Sequence, residues 1–363
     1  MRQGSESQMG LEFVRCDGIV MNELDLPVRP RWNDVFGREA PIELEIGIGN
    51  GEFIVSMASS NSEHNFVGVE LSSRYLSKAV NRVRTAGLKN VRLILGEGGL
   101  CLSKLFSPSS IHAIYINFPD PWEKPRHSHR RLVDEPFVCL VASRLIFGGT
   151  FTMVTDSYSY ATSVRDLMSS INVFEPASGS DGLCAGVPEG FMTKYYRKWT
   201  ALQRSIWTVS FIKTSHYDLP EWVSSYYPLA HLEASLPMPH VVIAGEIVNW
   251  SEVAQKIETG IWVHQPQLVI KCDGIYIERD GKGMLFSLLC VEGKMQQRLF
   301  VYATSHHGET VVRVHPACRL NVTAGIQLTV GITAQMLMRL NKLERLLRSN
   351  LGEQIHRKLG WDV

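Results

Sequence analysis

The sequence has no Cys-x-x-Cys pair, no long apolar run, no internal repeat and almost no net charge. Each absence narrows what the chain does. Seven cysteines are scattered as Cys16, Cys101, Cys139, Cys184, Cys272, Cys290 and Cys318. An odd, dispersed set reads as reduced thiols of a cytoplasmic protein rather than a disulfide framework. No Cys/His cluster has ligand spacing, so no metal site is expected. No stretch stays apolar over the roughly 20 residues a membrane helix needs, and "MRQGSESQMG" lacks the charged-then-apolar order of a signal peptide. A net charge of +1 excludes a general polyanion binder and confines any basic function to a local patch.

What is present is globular: 363 residues, 45% hydrophobic and 20% charged. That length supports more than one core. From about residue 42 to 213 the chain alternates short apolar runs with helix-length segments. "IELEIG", "FVGVEL", "VRLIL", "IHAIYINF" and "TFTMVTD" read as strands. "GEFIVSMASS", "SSRYLSKAVNRVRTAG" and "VDEPFVCLVASRLIFGG" read as helices, the second carrying Tyr75, Ala79 and Val83 at helical spacing. Strands apolar along their whole length imply an α/β fold with a parallel sheet covered on both faces. "SIWTVSFI" reads as a closing strand. Residues 1–41 form an N-terminal extension, and 214–240, rich in proline and aromatics, a linker or packed connection. Residues 241–363 read as a smaller, mostly β (α+β) region. Asp273-Gly274, Asp280-Gly281 and Gly308 punctuate a meander there, and "AQMLMRLNKLERLLRSN" reads as a terminal amphipathic helix.

"LEIGIGNGEF" sets Gly47, Gly49 and Gly51 after the first of these strands, where backbone approaches a ligand closely. The spacing is GxGxG, not the GxGxxG of dinucleotide folds. Glu45 and Glu52 flank it, and an anion there opposes a pyrophosphate. A cationic, phosphate-free cofactor suits the loop, and S-adenosylmethionine is one. Glu70, about twenty residues further on, stands where an acid accepts ribose hydroxyls. Glu97, in "LGEGGL", stands where an acid faces adenine, or where any loop carboxylate meets water.

"NFPDPWEKPRHSHRRLV" leaves the strand at the same sheet edge. Pro119 and Pro121 restrict the backbone around Asp120. Lys124, Arg126, His127, His129, Arg130 and Arg131 follow. A cation cluster beside a methyl-donor cleft points to a phosphate-bearing substrate, hence nucleic acid. Trp122 is a base-stacking platform or a core residue.

With these motifs the chain resembles the bacterial tRNA (guanine-N7-)-methyltransferases, from about Trp32 in "RWNDVFG" to about Val209. The resemblance covers "LEIGIGNGEF", "FVGVE", "NFPDPWEKPRHSHRRLV", "MVTDS" and "MTKYYRKW". It implies a Rossmann-like class I methyltransferase fold and methyl transfer from S-adenosyl-L-methionine to a guanine N7 in the tRNA variable loop. It makes Glu45, Gly47, Gly49, Glu70, Glu97 and Asp120 cofactor-site residues, with Asp120 also catalytic. Lys124, Asp156, Thr193, Lys194, Tyr195 and Tyr196 become substrate contacts. Arg126, His127, His129, Arg130 and Arg131 become the RNA-contacting stretch. Two positions depart from the family pattern: Tyr196 stands where a Glu is usual, and "GEGG" at Gly96–Gly99 replaces Asp/Asn-Ala. A non-catalytic RNA-binding scaffold, or a methyltransferase acting on another substrate, shares most of these features.

Overall fold

The computed structural model describes residues 18–177, 181–188, 194–343 and 345–361. The chain divides into two compact units, one running through Val223 and one from Ser224 onward.

The first unit is built on a nine-stranded sheet. Its strands are β1 (Val20–Asn22), β2 (Ile42–Ile46), β3 (Asn65–Glu70), β4 (Val91–Leu95), β5 (Ile111–Asn117), β6 (Leu145–Thr155), β7 (Phe174–Pro176), β8 (Leu183–Ala185) and β9 (Trp207–Lys213). The order is β1-β4-β3-β2-β5-β6-β9-β7, with β8 also pairing β9. Pairing is parallel from β1 to β6. The strands β7, β8 and β9 enter antiparallel. All five residues of β2 and five of the six in β3 are buried, so both faces of the sheet are covered. The helices are α1 (Trp32–Phe36), α2 (Glu52–Ser60), α3 (Ser73–Thr85), α4 (Gly98–Leu105), α5 (Glu135–Arg144), α6 (Tyr158–Ser169) and α7 (Lys194–Ala201). After β2 the chain builds outward through β3 and β4, then returns to lay β5 on the other side of β2. That reversal opens a crevice beyond the carboxyl ends of β2 and β5, where ligands bind in open α/β sheets.

Two sequence readings change here. The buried stripe of α3 is Leu76, Ala79, Val80 and Val83, while Tyr75 is 41% exposed. Ala79 and Val83 lie on the buried stripe as the spacing predicts, and Leu76 rather than Tyr75 begins it. Residues 18–41 also carry structure of the same unit. The strand β1 pairs with β4, and the Trp32 indole donates to the Leu105 carbonyl at 3.1 Å while its ring stacks on Phe106. Three strand residues are too few to display alternation.

The second unit holds β10 (His240–Ala244), β11 (Gly260–Gln265), β12 (Leu268–Ile277), β13 (Gly283–Glu292), β14 (Met295–His306), β15 (Glu309–Val314) and β16 (Leu346–Ser349). They form one antiparallel sheet in the order β11-β12-β13-β14-β15-β10-β16. Its helices are α8 (Trp250–Gln255), α9 (Ala324–Asn341) and α10 (Glu353–Leu359). The expected turn at Asp273-Gly274 is instead a register shift inside β12, a bulge that uses a glycine without reversing the chain. The expected long terminal helix is also corrected. The helix α9 stops at Asn341 because Lys342 takes a left-handed conformation, its N–H bonding back to Met338. "LLRS" then pairs with β10 as the strand β16. Arg339, Lys342, Arg345 and Arg348, three residues apart in the sequence, therefore do not lie on one helix face.

Candidate active site

The glycine loop joins β2 to α2 at the mouth of the crevice. Gly49 and Gly51 have φ of +53° and +77°, a region that favours glycine. A Cβ on Gly51 would also lie 2.7 Å from that of Ala79. The loop is held by Glu70, at the end of β3. One carboxylate oxygen accepts the Gly49 N–H at 2.9 Å and the other accepts the Ser72 N–H at 2.8 Å. Glu97 ends its strand differently: it caps α4, accepting the Leu100 N–H at 2.6 Å. The sequence reading had set an adenine-facing acid against a solvated one there, and capping was a third use.

Glu45 is 3% exposed on β2. Its Oε1 accepts from Asn117 Nδ2 at 3.1 Å. Its Oε2 is buried without a partner among the described residues. Burial pushes its pKa up to about 8, with the charge of Glu70 adding to the rise, against the hydrogen bond from Asn117 and the nearby Ile54 backbone N–H. A buried carboxylate with one satisfied oxygen is completed by a cation. S-adenosylmethionine fits this demand, since it brings an ammonium and a sulfonium and carries no phosphate. Asn117 was the residue sequence reasoning missed. Its signal was a polar side chain at the tip of an apolar strand, next to the strand that carries Glu45.

Beyond Asn117 the chain turns sharply. Phe118 has φ +52° and Trp122 φ +41°. Both are non-glycine residues in the left-handed region, a strained state that persists where surrounding contacts impose it. The contacts are visible. The Phe118 N–H bonds to the Val154 carbonyl at 2.7 Å. Arg131 Nε donates to the Pro121 carbonyl at 2.9 Å, and its guanidinium lies 4.8 Å from the Tyr160 ring centre. Between these anchors Asp120 is exposed. Lys124, Arg126, His129 and Arg130 are exposed too, on and beside a short 3-10 turn, Pro125–Arg130. Arg130 packs over the half-buried Trp122 at 5.1 Å, with His127 at 6.1 Å from the same ring. Arg131 thus differs from its neighbours: it ties the loop down.

Asp156 follows β6 and pairs with Arg204 at 2.9 Å. Glu52, at the first turn of α2, pairs with Arg197 of α7 at 2.9 Å and Arg82 of α3 at 3.6 Å. Tyr196 packs against the cluster of Phe53, Val154 and Ile206. Thr193 lies outside the described residues, as do the side chains of Lys194 and Tyr195. Hydrogen bonds therefore bring Glu45, Asn117, Glu70 and the glycine loop into two linked pairs at adjacent strand ends. Asp120 stands three residues from Asn117 and makes no hydrogen bond or ion pair with the described residues.

A methyltransferase family model matches residues 39–209. A tRNA (guanine-N(7)-)-methyltransferase of Yersinia enterocolitica is 37% identical over 185 residues, covering 51% of this chain and 77% of that protein. One of Thermotoga maritima is 30% identical over 289 residues, covering 78% of this chain and 85% of its own. An alignment that long extends past Val223 into the second unit. Of solved structures, an antibiotic-related methyltransferase superposes with TM-score 0.38 and 17% identity over 50% of this chain and 92% of that one.

Proposed function

The chain belongs to the tRNA (guanine-N(7)-)-methyltransferase family, and from that premise we propose that it methylates a guanine N7 in the variable loop of tRNA in the cytoplasm, with S-adenosyl-L-methionine as cofactor. The observation that carries this reading is the exposed Asp120, set on a strained, tethered turn among exposed cations at the edge of the cofactor crevice.

Bound S-adenosylmethionine supplies an electrophilic methyl group on a cationic sulfur. Guanine N7 offers a lone pair and carries no proton, so this chain needs no general base. Its work is positioning and charge. The purine gains positive charge as the N7–methyl bond forms, and the Asp120 carboxylate lies where it offsets that charge and accepts a guanine N–H. The flanking strain and the Arg131 tether hold it there before substrate arrives. Lys124, Arg126, His129 and Arg130 grip phosphates, with His127 backing the Trp122 ring on which a base can stack. Asp156, steadied by Arg204, holds the base edge. Tyr196 joins the substrate side from α7, where Arg197 ties the helix to Glu52 beside the glycine loop, and Thr193, Lys194 and Tyr195 take the substrate roles that the family resemblance assigns them. Glu45, Gly47, Gly49 and Glu70 hold the cofactor, and Glu97 orients the loop before α4.

Incubation with methyl-labelled cofactor and unmodified tRNA tests the acceptor. Label is expected in tRNA and absent from DNA and added protein. Label in protein, or none in tRNA, overturns the reading.

A further inference from the structure

The sheet of the second unit has two unlike faces. Phe286, Leu288, Leu299, Val301 and Ala303 are at most 2% exposed and share a core with Ile326, Val330 and Leu337 of α9. The intervening residues form the open face. Tyr276, Leu285, Tyr302, Arg313 and His240 are successive partners across β12, β13, β14, β15 and β10. Gly274, Ser287 and Phe300 make the next row, and Lys271, Leu289 and Arg298 the third. Tyr276 is 57% and Phe300 41% exposed. The Tyr302 ring stands edge-on to His315 at 5.9 Å. A groove of about 450 Å³ adjoins this row, lined by His240, Arg313, His315 and Arg348 over Val242 and Val311. No carboxylate lines it. Arg348 pairs with Glu309, and Lys271 and Arg298 share Asp273. Arg313 has no ion pair among the described residues.

The solvated face of an antiparallel sheet is normally polar. Here it carries three aromatic rings, with a cationic groove beside them. Along β14, Phe300 and Tyr302 are about 7 Å apart, and Tyr276 lies about 10 Å across the sheet from Tyr302. Flat rings accept any base by stacking, and guanidinium groups accept phosphates, Arg313 directly and Arg348 by exchanging its exposed pairing with Glu309. A protein partner for this face would need broad apolar area, whereas its exposed apolar side chains, Ile261, Tyr276 and Phe300, are interspersed with the exposed Lys271, Arg298 and Arg313. We infer that the open face of the second unit binds a single-stranded segment of RNA, with bases on Tyr276, Phe300 and Tyr302 and phosphates at Arg313 and Arg348. This goes beyond the methyl-transfer site, whose residues all belong to the first unit.

The test uses the full chain carrying Arg126→Ala and Arg130→Ala, so that the first-unit loop contributes little. The probe is a fluorescein-labelled single-stranded RNA of about twelve nucleotides, within the usual site size of such platforms. Anisotropy is read across salt concentrations. Tyr276→Ala with Phe300→Ala is expected to weaken binding about tenfold or more. Arg313→Ala is expected to flatten the log-affinity against log-salt slope by about 0.7. The same RNA as a duplex should compete poorly. Should the double variant melt early, Arg313→Glu decides alone, with loss of binding expected. Parent affinity and slope in these variants, failure of the parent to bind the probe, or equal competition by duplex overturns the inference. Variants that leave RNA binding intact but turn a dimer into monomers in sedimentation velocity overturn it too, and make the face a self-association surface.

Discussion

Glu45 carries the clearest residue-scale consequence. Its pKa in the ligand-free fold is about 8, against an ordinary value of 4.5. Between those values the folded chain keeps a proton that the unfolded chain releases. The associated stability is present in full below about pH 4.5 and lost as pH rises through about 8. A cationic cofactor binds the ionised form, so its affinity should climb with pH on approach to about 8, by up to about tenfold per unit. Glu45→Gln should bind more weakly and with a flat profile. Calorimetry in buffers of different ionisation enthalpy reads the released proton directly, and a pH-independent affinity in the parent contradicts the assignment. Asp120→Asn makes the complementary test. It keeps shape and removes charge, so single-turnover methyl transfer should fall by about 10² or more, while tRNA affinity changes little. A near-normal rate leaves Asp120 as a turn residue only. The acids themselves were legible in the sequence because strand ends are easy to locate there. Their partners were not. Asn117 reaches Glu45 only because β5 lies beside β2, and Arg204 reaches Asp156 across 48 positions; strand order and such pairings have no local signature.

At the scale of elements, the basic loop separates into grip and anchor. Arg126→Ala and Arg130→Ala should each flatten the salt slope of tRNA binding by up to about 0.9, with the melting temperature unchanged for Arg126→Ala and lowered only slightly for Arg130→Ala, whose contact with Trp122 is exposed. Arg131→Ala should do the reverse, costing about 1–2 kcal/mol of stability through the lost Tyr160 contact and Pro121 hydrogen bond. Equal behaviour of all three would contradict the division. The glycine loop allows a sharper expectation. Gly51→Ala places a Cβ 2.7 Å from Ala79 on a backbone at φ +77°, so it should cost about 2–4 kcal/mol in chemical denaturation. A cost below about 1 kcal/mol would mean the loop relaxes freely. Loop glycines, turn prolines and apolar strands were readable because each acts locally. The end of α9 was not. Its arginine and leucine spacing continues past Lys342, and what stops the helix is the pairing of Leu346–Ser349 with β10, about a hundred positions away in sequence.

At the scale of the molecule, the chain holds two compact units, and among the described residues one core cluster, including Ile243, Phe286, Val301, Ile326 and Leu337, consists of residues of the second unit. Scanning calorimetry should resolve two transitions, and cofactor at about 100 times its dissociation constant should raise one of them by about 2.7 kcal/mol of stability while leaving the other in place. A single transition that moves as a whole contradicts that organisation. On the proposed assignments the residues of methyl transfer belong to the first unit, and the second unit binds RNA separately through its open sheet face. The most direct measurement is mass spectrometry of the nucleosides released from unmodified tRNA after reaction with methyl-labelled S-adenosylmethionine. The account predicts that the label appears as 7-methylguanosine and that Asp120→Asn reduces its rate of appearance. Label in any other nucleoside, or none under conditions where the cofactor binds, contradicts it.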